Sequence, residues 1–580
     1  MTRRPEEIRK RKILSDVALG SIAPDVVLTR GTVFNSFTGE FIKGQSIWIK
    51  DGRIAYVGPD HDPPRNGRTE FIDADGRVLL PGLIEGHTHL NRSGIEEFIK
   101  HVIPGGLTTV VMETIELGTI FGKKGIDYFV KGLENQPIRF YYTLAPLCGL
   151  TPSVEVKAPG NETLLPILRD PKCLGIGEIY WGNLFLRGKQ GRRVRELASL
   201  AVEAGKRVEG HGAGATGRKL QAYTCLGPSS DHEPLTKEEV LERLRLGLWV
   251  MIREGSTRKE LAGVKEIFKE KIDFRRLILA TDAVDPVLFV EEGYLDAALR
   301  RALKLGVPPA LAYQMVTINV AEHFHLDHLI GSLSPGKMAD LVMIPSPHEF
   351  SPQLVMCNGK IILKEGKATV APRNTTFPKY MFHSIKFPQN SIPSPRRKGR
   401  VRVIELVTDL VTKEGIVDLE NPEESKDLVM LLAIDRVAQK GAFMGFLKGF
   451  GLQRGAYGST MFWDTVDMIV VGCDLPSMET VLARLKEIGG GAVYAIGKEK
   501  VAEFPASLGG VYSQKPMETL RDEIKRLEGV LQGNGVRWEK PMLTIDTLGS
   551  PAIPHLRVTH HGYVRLRDRK VLPLELEKHS

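Results

Sequence analysis

The sequence predicts an α/β chain built on a (β/α)8 barrel, flanked by a composite β module and followed by a separate C-terminal α/β domain. Three observations predict it. Apolar strand-like runs alternate with helical stretches between residues 81 and 335, short strands with tight turns precede and follow that region, and a second α/β pattern begins after residue 400. Strand, helix, strand in that order favours parallel pairing through right-handed crossovers. A chain of 580 residues, 42% of them hydrophobic, is long enough for several domains, each with a core of its own.

Residues 1–80 carry "DVVLTRGTVFN", "QSIWIKDGRIAYVG" around Asp51-Gly52 and "FIDADGRVLLPG" around Asp75-Gly76, read as an antiparallel all-β module. Within 81–335, "LTTVVME", "RFYYTLAP", "CLGIGEIY", "LWVMIREG" and "RLILATDA" read as barrel strands, and "KEEVLERLRLG" and "YLDAALRRALKLG" as helices. Residues 336–367 return to short strands, "GSLSPGKMADLVMI" and "VMCNGKIILKEGK", expected to complete the first sheet. Residues 368–400 are Pro-rich and basic with little periodicity, a linker. In 401–580, "MIVVGCD" and "GAVYAIGKEKVAEF" alternate with the helices "PSMETVLARLKEIGG" and "METLRDEIKRLEGVL". No internal repeat and no low-complexity tract is visible.

The net charge of +9 collects at "TRRPEEIRKRK", "SPRRKGRVR" and "RLRDRK" without interleaved aromatic residues. That pattern reads as solvated faces rather than a nucleic-acid groove, which needs a continuous basic surface. The five cysteines (Cys148, Cys173, Cys225, Cys357, Cys473) form no C-x-x-C pair, which suits a reducing compartment and argues against a cysteine-built metal site. The charged amino terminus lacks the apolar core of a signal peptide, and no run approaches the ~20 apolar residues of a membrane helix. The expectation is a cytoplasmic protein with neither nucleic-acid nor membrane partners.

The stretch "LLPGLIEGHTHL", residues 79–90, ends an apolar run on two histidines one residue apart. On a strand, residues i and i+2 point to the same side, so His87 and His89 face one place. At the carboxyl end of a first barrel strand, where sites are built, they would begin a metal site. Further ligand-type residues stand at later strand ends: Glu178 after "CLGIG", His211 after "KRVEG", His232 in "SSDHE" and Asp282 in "LILATD". Singly, each has a structural reading: a surface carboxylate, a loop histidine, a helix-start residue (His232 or Asp231), a helix N-cap (Asp282). Six in this order at successive strand ends argue for a metal site instead, and imidazole with carboxylate suits zinc, manganese or iron.

These motifs resemble the metal-ligand series of the amidohydrolase superfamily, whose members split a β-sandwich around the barrel and hydrolyse at a metal-bound hydroxide. Along nearly its whole length the chain is similar to the adenine deaminase family. "HGAGATGRKLQAYTCLGPSSDHEPLTKEEVLERLRLGLWVMIREGS", "VTINVAEHFHLDHLIGSLSPGKMADLVMI" and "MIVVGCDLPSMETVLARLKEIGGG" carry that resemblance. It implies that His87 and His89 hold one metal, that Glu178 bridges two, and that His211 and His232 hold the second. Asp282 would ligate the first metal and carry the proton, and Glu233 would donate to a ring nitrogen. It further implies two divalent ions (manganese, iron or zinc), a small purine-like substrate, deamination of adenine to hypoxanthine in purine metabolism and adenine catabolism, and a homo-oligomer.

The chain departs from the family pattern near the expected pocket. Ile115, Trp463 and Val466 stand where the family usually has histidine, Ala283 where a second Asp follows Asp282, and Glu85 where the opening motif has Asp. Two other readings therefore stand beside adenine deamination. One is a hydrolase of a cyclic amide or another amino-heterocycle C–N bond, since fold and metal site do not fix the substrate. The other is a paralogue with little catalysis, which six retained ligand-type residues argue against, because buried imidazole and carboxylate clusters are costly without an ion.

Overall fold

In the computed structural model, which describes residues 3–155, 157–387, 392–553 and 555–576, eight parallel strands form the barrel. They are β1 (Leu83–Thr88), β2 (Leu107–Glu113), β3 (Arg139–Leu144), β4 (Cys173–Tyr180), β5 (Arg207–His211), β6 (Ser230–Asp231), β7 (Trp249–Arg253) and β8 (Leu277–Ala280). β1 to β5 pair in sequence order, as do β6 to β8. The two arcs meet where Ser229 N donates to Val208 O (2.8 Å) and where Thr88 bridges Asp282 in parallel. Ile84, Val111, Tyr141, Leu174, Met251 and Ile278, from six different strands, share one buried cluster with Val320 and Phe324, so the interior is packed rather than open.

The composite sheet has nine strands from both sides of the barrel in sequence. Leu341–Ile344 pairs antiparallel with Val78–Pro81, with Val342 opposite Leu80. Ile47 and Ile49 from one end of the sheet share a core with Leu354 and Met356 from the other, so the sheet folds over itself as a sandwich. The two parts approach closely at Gly52, where a Cβ would lie 2.5 Å from Asn358 O; its φ of +72° also needs glycine.

Two expectations about this module are corrected. It is mixed rather than antiparallel: Val26–Thr29 runs parallel to Glu70–Asp73. It also opens with a helix, Arg3–Ala18, in a stretch that reads only as charge. Pairs one turn apart, Glu6–Lys10, Glu7–Arg11 and Lys12–Asp16, satisfy those charges, while Leu14 and Val17 pack on Val27 and Trp48. The segment after the sandwich is not a free linker over its first half. Arg373 donates to the carbonyls of Lys131, Gly132 and Glu134, Thr375 Oγ1 donates to Glu96 (2.6 Å), and Met381 is buried. Residues 388–391 of it lie outside the described residues.

The C-terminal region centres on an eight-stranded, mainly antiparallel sheet, on which helix Leu475–Ile488 packs through Met478, Val481 and Leu485. Its helix Pro541–Asp546 reaches the barrel's carboxyl end: Arg92, just after β1, donates to Asp546 (2.7 Å), and both side chains are buried. Among the described residues, no helix is long and apolar enough to cross a membrane.

Candidate metal centre

All six ligand-type residues gather at the carboxyl ends of the barrel strands, and all are buried. His87 Nε2 lies 3.0 Å and His89 Nε2 3.5 Å from Glu178 Oε1, and His232 Nε2 approaches the same oxygen at 3.4 Å. Asp282 Oδ1 is 3.5 Å from His87 Nε2 and 3.9 Å from His89 Nε2. One carboxylate oxygen thus stands among His87, His89 and His232. A first group of potential ligands is His87, His89, Glu178 and Asp282; a second is His211, His232 and Glu233. Glu233 was expected only as a proton donor. Its Oε1 lies 3.2 Å from His211 Nε2 and 3.6 Å from His232 Nε2 and accepts a hydrogen bond from Arg253.

Several of the ligands are held from behind, through side chain or backbone. His89 pairs through Nδ1 with Glu116 (3.0 Å), which leaves Nε2 for the cluster. Glu85 accepts from the backbone N–H groups of His87 (3.1 Å) and Thr281 (3.2 Å), and burial pushes its carboxyl up to about 7. Glu113 accepts from Thr143 Oγ1 (2.6 Å) and lies 3.6 Å from His87 Nδ1. It occupies the space a Cβ at Gly177 would need, 2.1 Å away, so the glycine before Glu178 lets the two carboxylates stack. The His211 N–H donates to Tyr223 Oη (2.9 Å), whose hydroxyl donates to Ile179 O.

Asp282 lies outside helical or extended backbone, at φ 63°, where its N–H donates to His87 O (3.1 Å) and its carbonyl accepts from His89 N (2.8 Å). The left-handed region is tolerated by Asp and Asn far better than by other non-glycine residues, and such strain concentrates at functional sites. Its structural reading as an N-cap does not hold. Asp285 is the cap of helix Pro286–Glu291, accepting from Val287 N and Leu288 N.

The residues fit a divalent cation. His232 Nε2 is buried without a hydrogen-bond partner, yet faces Glu178 and Glu233 across gaps that an ion shared by imidazole and carboxylate would fill. Burial pulls the His87 imidazole down, but its hydrogen bonds to Asp282 and Glu178 outweigh that and push it up to about 10. His89 is raised as well, against burial, by Glu116 and Glu178. Such imidazoles mark a pocket whose carboxylates call for positive charge.

Three participants escape a reading of the sequence. Arg253 ends β7, fully enclosed, with Nη2 on Glu260 (2.6 Å), Nη1 on Glu233, and Nη1 3.3 Å from Asp282 Oδ2. Its position at a strand end is the signal that could have found it. Tyr180 and Asp464 are the others: Tyr180 Oη donates to Asp464 Oδ2 (2.9 Å). The cluster opens into a cavity of about 240 Å³ whose far wall comes from the C-terminal region, Trp463, Asp464, Thr547 and Ser550 among it. Of the residues that depart from the family pattern, Ala283 and Trp463 line this cavity. Ile115 packs with Ile126 and Leu144, and Val466 lies in the main core.

Residues 405–570 match the adenine deaminase C-terminal domain family, and residues 192–362 match the amidohydrolase family. Full-length relatives are similar throughout. The adenine deaminase of Clostridium botulinum (strain 657 / Type Ba4) is 30% identical over 98% of each chain. That of Cereibacter sphaeroides (strain ATCC 17025 / ATH 2.4.3) is 31% identical over 97% of this chain and 100% of its own. That of Moorella thermoacetica (strain ATCC 39073 / JCM 9320) is 31% identical over 99% of each. With identity at this level spread over both whole chains, this chain belongs to the adenine deaminase family.

Proposed function

We propose that the protein is a metal-dependent hydrolase that converts adenine and water to hypoxanthine and ammonia. The observation that carries this reading is the convergence of His87, His89, Glu178, His211, His232 and Asp282 on one buried cluster at the mouth of a small cavity, in a chain of this family. His87, His89 and Asp282 would hold one divalent ion, His211 and His232 a second, with Glu178 between them; manganese, iron or zinc suits such donors. Bound there, a divalent ion lowers the pKa of a coordinated water from ~15.7 towards ~7 and so supplies a nucleophile at neutral pH.

The chain's own residues do the rest. Asp282 takes the proton of the attacking water and passes it to the leaving amine. Arg253 holds Asp282 and Glu233 apart in fixed positions, so Asp282 keeps one oxygen towards the imidazoles while the other faces the guanidinium. Glu233 hydrogen-bonds a ring nitrogen, and the wall formed by Trp463 and its neighbours excludes bulk water. We further read the protein as a cytoplasmic homo-oligomer acting in adenine catabolism. The test is spectrophotometric: purified chain loaded in turn with manganese, iron and zinc is given adenine. A fall in adenine absorbance with stoichiometric ammonia is expected. No turnover with any of the three ions, alongside hydrolysis of a cyclic amide in the same assay series, would replace this reading with the amide hydrolase.

A further inference from the structure

Asp464 stands in the turn between strands Ala456–Ser459 and Asp467–Gly472 of the C-terminal region, far in sequence from the barrel, and its side chain is 7% exposed. Its Oδ2 is saturated: Tyr180 Oη donates to it at 2.9 Å and Ser550 Oγ at 2.7 Å. Its Oδ1 is buried and has no hydrogen-bond partner among the described residues. Asp464 nonetheless lines the same cavity as His89, Glu178 and Asp282, and Tyr180 Oη is also 3.4 Å from Glu178 Oε2. The Tyr180 hydroxyl thus joins the Asp464 carboxylate, through Oδ2, to the cluster.

Buried polar atoms in native proteins almost always have a partner, and one left over beside a cavity points to a ligand that supplies it. We propose that Asp464 is a substrate-contacting, specificity-determining residue whose Oδ1 accepts the imidazole-ring N–H of a purine base. The site then takes the free base and rejects one substituted at that nitrogen. The proposal rests on the purine reading given above. Burial pushes the Asp464 carboxyl up to about 6, with Ser550 and Tyr180 opposing it, so at pH 8 the group is ionised and can only accept. A purine with its amino-bearing carbon at the metal cluster turns its five-membered ring away from it, and the donor on that ring is the imidazole N–H. A 9-alkyl purine or a nucleoside lacks this hydrogen and would leave Oδ1 desolvated and unpaired.

The two donors on Oδ2 make the test sharp. In Asp464→Asn, Tyr180 and Ser550 would keep the amide oxygen, so the amide nitrogen would take the place of Oδ1. An acceptor would become a donor without change of size. Isothermal titration calorimetry at pH 8, on the manganese-loaded full-length chain, would use hypoxanthine and 9-methylhypoxanthine as probes. Wild type is expected to prefer hypoxanthine by about ten- to hundredfold, the range of a hydrogen bond to a charged group. In Asp464→Asn, hypoxanthine binding should weaken by that factor while 9-methylhypoxanthine binding moves less than about threefold, with metal content unchanged. Equal weakening of both probes, an unchanged preference, or no binding of either purine by wild type overturns the assignment. Adenine turnover by wild type is measured separately. Its absence removes the deaminase reading and leaves the binding comparison to judge Asp464.

Discussion

At the scale of single residues, Asp282 separates chemistry from metal binding. Its φ of 63° is one that Asn also adopts, so Asp282→Asn should fold and keep the His211/His232 ion. An amide cannot take a proton, and removing a general acid/base costs about 10²–10⁴-fold. With loss of a ligand added, kcat should fall by about three orders of magnitude or more. Steady-state kinetics with metal content measured on the same sample checks it; activity within about threefold of wild type would strip Asp282 of its role. The imidazoles give a second prediction. In the metal-free chain His87 is pushed up to about 10, so it carries a proton at pH 7 to 8, and His89 is raised in the same direction. Holding a cation requires neutral imidazole, so metal uptake releases protons and strengthens as pH rises. The sign for stability is the reverse. A raised imidazole pKa stabilises the metal-free fold fully below about 6.5, the unfolded value, and that contribution is lost as pH climbs through about 10. Calorimetry of manganese binding in buffers of different ionisation enthalpy should count the released protons, and His87→Ala with His89→Ala should abolish them together with at least one ion. Release unchanged in that double variant would remove these two residues from the site.

At the scale of elements, legibility follows how local the signal is. Strand alternation is a two-residue pattern, so the facing of His87 and His89 reads directly from "GHTH", and the strand-helix rhythm of residues 81–335 makes the barrel legible. Arg253 is another matter: in "WVMIREG" it reads as one more basic residue, because Glu233, Glu260 and Asp282 come to it only when β7 is rolled between its neighbours. The alternative reading of Asp282 as an N-cap fails by three residues, since a cap depends on where the chain turns back into αR, which the Pro286 N1 position fixes for Asp285. Helix Arg3–Ala18 escaped for the opposite reason, its apolar contacts being few against many charges. The segment after the sandwich mixes both cases. Its first half is tied down by Arg373, Thr375 and Met381, whereas Arg396, Arg397, Lys398 and Arg400 are exposed. Brief trypsin treatment should therefore cut first between residues 396 and 400, leaving Arg373 and Lys386 intact, as mass spectrometry of the fragments would show. A first cut within 81–335 would mean that the domain boundaries proposed here are wrong.

At the scale of the molecule, the cavity is shared property: its floor is the barrel and its wall is the C-terminal region, so whatever fixes one against the other fixes the substrate space. The Arg92–Asp546 pair is placed to do this. Arg92 follows the metal-binding strand by a few residues, at φ 72°, and reaches Asp546 at 2.7 Å; Asp546 also accepts from Ser459 Oγ (2.6 Å) in the C-terminal sheet. Burial pushes the Asp546 carboxyl up to about 6 even with that guanidinium beside it. Removing one partner of a buried pair strands the other charge and costs about 3–5 kcal/mol, more than the pair itself contributes. Arg92→Ala and Asp546→Ala should each lower Tm clearly, and the double variant should lose much less than the two losses combined, because no unpaired charge remains. Arg92→Ala carries a second consequence. Its stranded Asp546 would favour the protonated form, so the stability deficit should shrink as pH falls below about 6 and widen above it. Thermal melts of the four proteins at pH 5.5 and 8 read both effects. Additive losses, or a deficit in Arg92→Ala that does not change with pH, would show that the two halves of the cavity are held together elsewhere.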